Sequence, residues 1–256
     1  MKKKILFTVL VLWFPVLIAL YFTFNNKETF ENILSLGPLG IPQIIHQTAP
    51  ADTTKWPPVW HSCQKSWKKY FPNYQYMMWT DEDLDNLIKT DFPEYWGMFQ
   101  GYDKKIKKID IARYFILHKY GGIYADMDYE CFQNFENLIP KNKVSISESP
   151  YIENEYLQNA LMISPKGDPF WSKVIEKAKS RAGTTSDKNN SNNNNNNNNS
   201  KNNNVLYQTG PQLVSDTYFE NTSMVNVLPK DLWNPDKALP FNSNLICRHL
   251  GTYSWA

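Results

Sequence analysis

The sequence predicts an α/β domain, a mostly parallel sheet flanked by helices, preceded by an N-terminal transmembrane helix. Three observations lead there. Short apolar strands alternate with helical segments over residues 41–256, a layout that favours a parallel sheet. Residues 104–120 carry apolar side chains at helical spacing and run into Gly121-Gly122, a helix stop. Residues 5–24 are apolar and uncharged, matching the roughly 20 residues a helix needs to cross a bilayer.

The apolar run follows Lys2, Lys3 and Lys4, precedes mixed charge at Lys27, Glu28 and Glu31, and is not followed by an A-x-A cleavage site. Residues 1–24 therefore read as a cytosolic tip and uncleaved signal anchor, residues 25–40 as a polar stem, and residues 41–256 as a lumenal domain. Within that domain, GIPQIIHQT over residues 40–48 reads as a short buried strand led in by proline, and residues 49–62, with Trp56 and Trp60 among prolines, as an aromatic loop. A helix end at residues 66–70, a Pro72-Asn73 turn and a strand over residues 74–79 follow. Thr80 and Asp83 form a capping-box pattern ahead of Leu84, Leu87 and Ile88, which continue at helical spacing.

In the helix over residues 104–120, Asp110 and Arg113 are three apart and leave the same face. After the glycines IYADMD alternates, so Ile123, Ala125 and Met127 face a core while Tyr124, Asp126 and Asp128 share the other side. Strands are expected at VSIS, ALMIS and residues 225–228, and a helix at about residues 169–179. Residues 180–204 are nearly all Asn, Ser and Lys; such a run buries nothing and is expected to be a disordered insertion.

Composition narrows the function. The formal net charge is +2 and the basic residues are scattered, without the stripe that nucleic-acid binders carry, so no nucleic-acid partner is expected. Aromatics make up 15% of the chain, nine of them Trp, which calls for a substantial core or a groove in which flat rings stack. Cys63, Cys131 and Cys247 are far apart without a C-x-x-C, which excludes a zinc ribbon. In an oxidising lumen one pair can bridge, and spacing does not choose which.

Asp-x-Asp occurs three times, at Asp81/Asp83, Asp83/Asp85 and Asp126/Asp128. The first two fall in the first turn of a helix, where acids offset the macrodipole. The third follows a glycine turn and a strand. Two carboxylates there repel one another and favour a shared divalent cation with phosphate oxygens as further ligands. An EF-hand is disfavoured, because Cys131 stands where the turn glycine belongs and Asn137 where the bidentate Glu belongs. On the local pattern alone, two solvated acids at a strand end fit equally well. His46, among apolar neighbours, reads first as a buried strand histidine.

The ordered set GIPQIIHQT, YMMWTDED, IKKIDIARYFILHKYGGIYADMD, QTGP and RHLGTYSW resembles the family 32 glycosyltransferases, which include initiating α-1,6-mannosyltransferases and mannosyltransferases acting on inositol phosphoceramide. The resemblance implies a GT-A-like nucleotide-diphospho-sugar transferase fold, a nucleotide-sugar donor, manganese or another divalent cation such as magnesium, and retention of anomeric configuration. It implies Asp128 as metal ligand, Asp126 at the sugar and the metal, Asp110 and Arg113 on the donor sugar, and Tyr124 under the nucleotide. His249 is a further candidate metal ligand, and Ser254 and Trp255 match a C-terminal segment expected to close over the diphosphate. His46, Trp56 and Trp255 complete the donor-binding candidates.

These expectations describe a mannosyltransferase using GDP-mannose on a lipid or glycan acceptor, anchored in a Golgi or other secretory-pathway membrane. A UDP-sugar donor on the same scaffold is the alternative, since no residue reads the base. A catalytically silent glycan-binding module would tend to lose Asp128, Asp110 or Arg113, all of which are present. A phosphohydrolase would want more converging acids or histidines.

Overall fold

Strand β1 (Ile44–Thr48) and helix α1 (Pro58–Tyr70) open the described part of the chain, followed by β2 (Gln75–Trp79) and α2 (Asp81–Asp91). Then come α3 (Trp96–Gln100), α4 (Lys105–Tyr120), β3 (Gly122–Ala125), β4 (Tyr129–Cys131), β5 (Val144–Glu148), β6 (Leu157–Ser164) and α5 (Pro169–Gly183). The C-terminal part adds α6 (Val205–Gln208), α7 (Pro211–Glu220), β7 (Val225–Leu228), α8 (Lys230–Trp233) and β8 (Cys247–His249). The computed structural model describes residues 40–140, 142–150, 156–183, 204–236 and 243–252. The expected membrane anchor, nearly all of the stem, most of the Asn-rich run and Trp255 lie outside them. Among the described residues no helix is long and apolar enough to cross a membrane.

Six strands form one sheet in the order β2-β1-β3-β6-β5-β7, and β4 pairs with β8 in a separate ribbon. The sheet is mixed rather than mostly parallel. β1 lies parallel to β2 and β3, and β5 parallel to β7, but β6 runs antiparallel to both β3 and β5. The cause is the connector between β5 and β6, residues 149–156, which is shorter than the dozen or so residues a parallel crossover needs. One sheet face packs against α4, α5 and α7 through Tyr124, Met162, Phe115 and Trp171; the other packs against α1 and the β4–β8 ribbon through Ile45, Ile123, Trp67 and Tyr129.

Several local expectations hold. Thr80 and Asp83 form a reciprocal capping box at the start of α2. Helix α4, its residues 111–117 all buried, ends where the Gly121 N–H bonds the Leu117 carbonyl with Gly121 at φ +65°. Gly122 sits at φ +90°, and a Cβ there would meet the Ile44 carbonyl oxygen at 2.5 Å. This glycine lets β3 lie against β1, which sets where the following acids emerge.

Others are corrected. The expected loop over residues 49–62 is helical from Pro58, which stands at the first turn of α1, where proline's fixed φ and missing N–H cost nothing. The alternation expected through Asp128 stops at Ala125. Asp126, Met127 and Asp128 form a turn closed by the Tyr129 N–H on the Asp126 carbonyl at 3.0 Å, and Met127 packs with Ala49 and Trp56 in a separate small cluster. Helix α5 extends through residues 180–183, expected to be disordered, because Arg181 is anchored by Asp216 at 2.6 Å and lies over the Tyr207 ring.

Candidate active site

The C-terminal ends of the parallel strands β1 and β3 open on a cavity of about 910 Å³, the position where open α/β sheets bind ligands. Asp110, Arg113, Asp126, Asp128 and His249 all line it.

Strand β1 wires this end of the sheet together. The Gln47 side-chain amide donates to the Asp126 carbonyl at 3.0 Å, Thr48 Oγ1 meets the Tyr124 hydroxyl at 2.9 Å, and that hydroxyl donates to Asp126 Oδ1 at 3.0 Å. Arg113 then reaches both acids beside it. Its guanidinium lies 3.2 Å from Asp126 and 3.3 Å from Asp110, donates to the Asn159 carbonyl at 2.9 Å, and covers the Tyr124 ring. Asn159 donates to Asp110 Oδ1 at 3.2 Å, so α4 and β6 hold this acid between them.

The charges of this group follow from burial and pairing. Burial pushes Asp110 up to about 7 against the pull of Arg113. Burial likewise raises Asp126, again opposed by Arg113. For Arg113, burial works against the charge, but Asp126, Tyr124 and Asp110 around it hold the guanidinium protonated.

Asp128 is different. Burial pushes its carboxyl upward, yet the His249 and Thr252 hydrogen bonds outweigh that and hold it well below the usual carboxylate range. His249 Nε2 lies 3.1 Å from Oδ1, and Thr252 donates its N–H at 2.6 Å and its hydroxyl at 2.9 Å to Oδ2. The His249 ring stacks on Tyr129 with centroids 5.3 Å apart. Pairing of β8 with β4 thus carries His249 to the acid pair.

One ligand atom from each of Asp126, Asp128 and His249 falls within 4.8 Å of the others, the one such metal-capable group among the described residues. Hard carboxylate oxygens with one imidazole suit magnesium or manganese. An ionised, largely buried Asp128 also fits a divalent cation.

The remaining sequence candidates lie elsewhere. His46 is buried, with Nε2 2.9 Å from the Gly121 carbonyl and Nδ1 accepting from Trp79, and it does not line the cavity. Burial lowers it to about 4, so it is neutral. Trp56 donates to the Pro50 carbonyl and packs on Met127, behind the cavity wall. Tyr124 is fully buried behind Asp126. The structure adds residues that sequence reading passed over. Thr252 holds Asp128, Gln47 and Asn159 hold the Asp126–Arg113 pair, and Trp60 and Gln158 line the cavity. QTGP supplied one signal, since Thr209 Oγ1 lies 3.4 Å from Asp110.

Known glycosyltransferases are similar to this chain in sequence and in fold. Residues 57–145 match the model of the glycosyltransferase sugar-binding region containing a DXD motif. Inositol phosphoceramide mannosyltransferase 3 of Schizosaccharomyces pombe is 36% identical over 150 residues, 59% of this chain and 39% of that protein. The initiation-specific α-1,6-mannosyltransferase of Candida albicans is 24% identical over 240 residues, 84% of this chain and 59% of that protein. The chain spans about two fifths of the curated inositol phosphoceramide enzyme it matches. A ligand-free glycosyltransferase domain from the YGT toxin superposes with a TM-score of 0.50 at 9% identity, over 73% of this chain and 80% of that one. The fold is therefore GT-A-like, a mixed sheet flanked by helices, and over residues 57–145 the chain resembles the sugar-binding region of the DXD-containing family 32 glycosyltransferases.

Proposed function

We propose that this protein is a metal-dependent retaining mannosyltransferase that moves mannose from GDP-mannose to a lipid or glycan acceptor. The observation that carries the reading is the convergence of Asp126, Asp128 and His249 on the same cavity as Asp110 and Arg113. The mannosyl assignment is supported by the names of the matched relatives, and the lipid acceptor by those named for inositol phosphoceramide.

Asp128, Asp126 and His249 would hold a manganese or magnesium ion, which when bound supplies Lewis-acid stabilisation of a leaving diphosphate. The protein's own groups position the donor around it. Thr252 and His249 keep Asp128 ionised and oriented. Asp110 and Arg113 face the cavity as acceptor and donor for sugar hydroxyls, with Asn159 and Asp126 fixing the guanidinium. In this reading no carboxylate acts as nucleophile, because Asp110 and Asp126 are both held by Arg113. The acceptor hydroxyl attacks from the face the diphosphate leaves, and the departing phosphate oxygen takes its proton. A glycosyl adduct trapped on any Asp or Glu would overturn that step.

The apolar run over residues 5–24 supports anchoring as a type II protein in a secretory-pathway membrane with the domain in the lumen. The test is donor hydrolysis by the full-length chain in detergent, across GDP- and UDP-sugars with and without manganese. Manganese-dependent hydrolysis of GDP-mannose, lost in Asp128→Ala, is expected. Hydrolysis of UDP-sugars alone would replace the donor, and activity unchanged in Asp128→Ala would remove the site.

A further inference from the structure

Cys131 and Cys247 face each other across the ribbon that carries His249. β4 and β8 pair antiparallel with Tyr129 opposite His249, Glu130 opposite Arg248 and Cys131 opposite Cys247. The Leu250 N–H bonds the Asp128 carbonyl at 2.9 Å, and the Phe132 N–H bonds the Ile246 carbonyl at 2.9 Å. Hydrogen-bonded and non-hydrogen-bonded pairs alternate in an antiparallel ladder. With 128/250 and 132/246 bonded, Tyr129/His249 and Cys131/Cys247 are the non-bonded pairs.

A second hydrogen bond confirms the phase. The Cys131 N–H points away from β8 and donates to Ser66 Oγ on α1 at 2.9 Å. At non-bonded pairs the two Cα atoms are about 4.5 Å apart and the side chains lean together. That separation falls inside the roughly 4.4–6.8 Å a disulfide spans. The neighbouring pair on the same face shows the closeness directly, for the Tyr129 and His249 rings stack at 11°. Both cysteines are buried, and all three cysteines are thiols in this structure. Cys63 lies on α1 and has no such cross-strand partner.

We propose that Cys131 and Cys247 are the bridging pair, closing a cross-strand disulfide that locks β8, and with it His249 and Thr252, onto the Asp126–Asp128 turn. The oxidant is a small-molecule or protein disulfide. One cysteine thiolate attacks it, forming a mixed disulfide and releasing one thiol. The second cysteine then displaces the other thiol, so two cysteine protons and two electrons leave with the reduced oxidant. Both side chains are buried once β8 has docked on β4, so the bond forms while the ribbon is assembling.

Cys63 stays a thiol, pushed up to about 12 chiefly by burial.

The test folds the full-length chain in detergent with reduced and oxidised glutathione, unfolds it in excess iodoacetamide, and digests it without reductant. Mass spectrometry is expected to find a peptide pair joining Cys131 to Cys247 and an alkylated Cys63. Alkylation of all three cysteines, or a linkage that contains Cys63, overturns the proposal. Wild type refolded in dithiothreitol is expected to melt several degrees below wild type refolded with glutathione, while Cys131→Ala/Cys247→Ala melts alike after both treatments. Equal melting temperatures of the two wild-type preparations also overturn it.

Discussion

Thr252 donates both its backbone N–H, at 2.6 Å, and its hydroxyl, at 2.9 Å, to one carboxylate oxygen of Asp128. His249 occupies the other oxygen, so two residues from the C-terminal segment fix an acid that lies more than a hundred residues earlier. Partners of this kind tune metal affinity by about 10–100-fold. Thr252→Val keeps the backbone bond and the side-chain volume but loses the hydroxyl. It is expected to weaken manganese binding about tenfold in calorimetry with little change in melting temperature. An unchanged affinity would remove Thr252 from the site.

Arg113 is shared by Asp110 and Asp126, and its side chain is as buried as that of Asp110. Removing one member of such a group leaves an uncompensated buried charge, at a cost of about 3–5 kcal/mol. Arg113→Met is therefore expected to lower stability by about 3 kcal/mol in urea unfolding and to abolish donor hydrolysis. Arg113→Met/Asp110→Asn should recover part of the stability and none of the activity. Equal stability of the two variants would show that Asp110 is not what the guanidinium offsets.

Much of this site was legible before the structure, and the division has a physical cause. Helix α4 and its glycine stop are local, set by 3.6-residue periodicity and a positive φ, so Asp110 and Arg113 could be placed on one face from spacing alone. The capping box at Thr80 and Asp83 is equally local. Antiparallel β6 and the arrival of His249 beside Asp128, 121 residues away, depend on pairing between distant segments, which alternation does not encode. Pro57-Pro58 was read as a loop signal, although proline also favours a first helical turn. The apolar neighbours of His46 point to a buried strand histidine, and there it lies, joining β1 to the Gly121 turn and Trp79, outside the cavity although it is also one of the donor-binding candidates.

Gly122 gives the clearest steric prediction. At φ +90° with the Ile44 carbonyl 2.5 Å from a would-be Cβ, Gly122→Ala meets both backbone strain, about 1–3 kcal/mol, and a backbone clash that no side chain can relieve. The expected loss is about 3 kcal/mol or more in thermal or urea unfolding. Gly167→Ala, at φ +73° with open space around it, should cost only the strain. Similar losses for the two would show that β1 and β3 can separate freely.

Two buried groups tilt the pH dependence of stability in opposite directions. Asp110 titrates at about 7 in the fold against 3.8 ordinarily, because of burial. Between those values the folded chain keeps a proton that the unfolded chain has released, so stability from this group falls as pH rises. His46, lowered by burial from 6.5 to about 4, refuses a proton that the unfolded chain takes, so its share falls as pH drops through that window. Asp110→Asn should therefore make stability climb more steeply from about pH 4 to 7, and His46→Asn should flatten or reverse the slope. Denaturant melts at several pH values read the slopes, which are separate from any constant packing loss. Parallel profiles for the two variants would overturn both assignments.

Gln158 lines the cavity, is nine-tenths buried, and its Oε1 has no hydrogen-bond partner among the described residues. A buried acceptor without a partner costs roughly 1–3 kcal/mol, a cost that a donor hydroxyl of a bound ligand would offset. Gln158→Leu removes the acceptor at similar volume, so the empty protein should be as stable as the wild type or more so. Binding should move the other way, with donor KM raised about tenfold and kcat changed less, since the lost contact is made to the bound donor before and during transfer. A destabilised variant with an unchanged KM would mean that Oε1 serves the fold rather than the ligand.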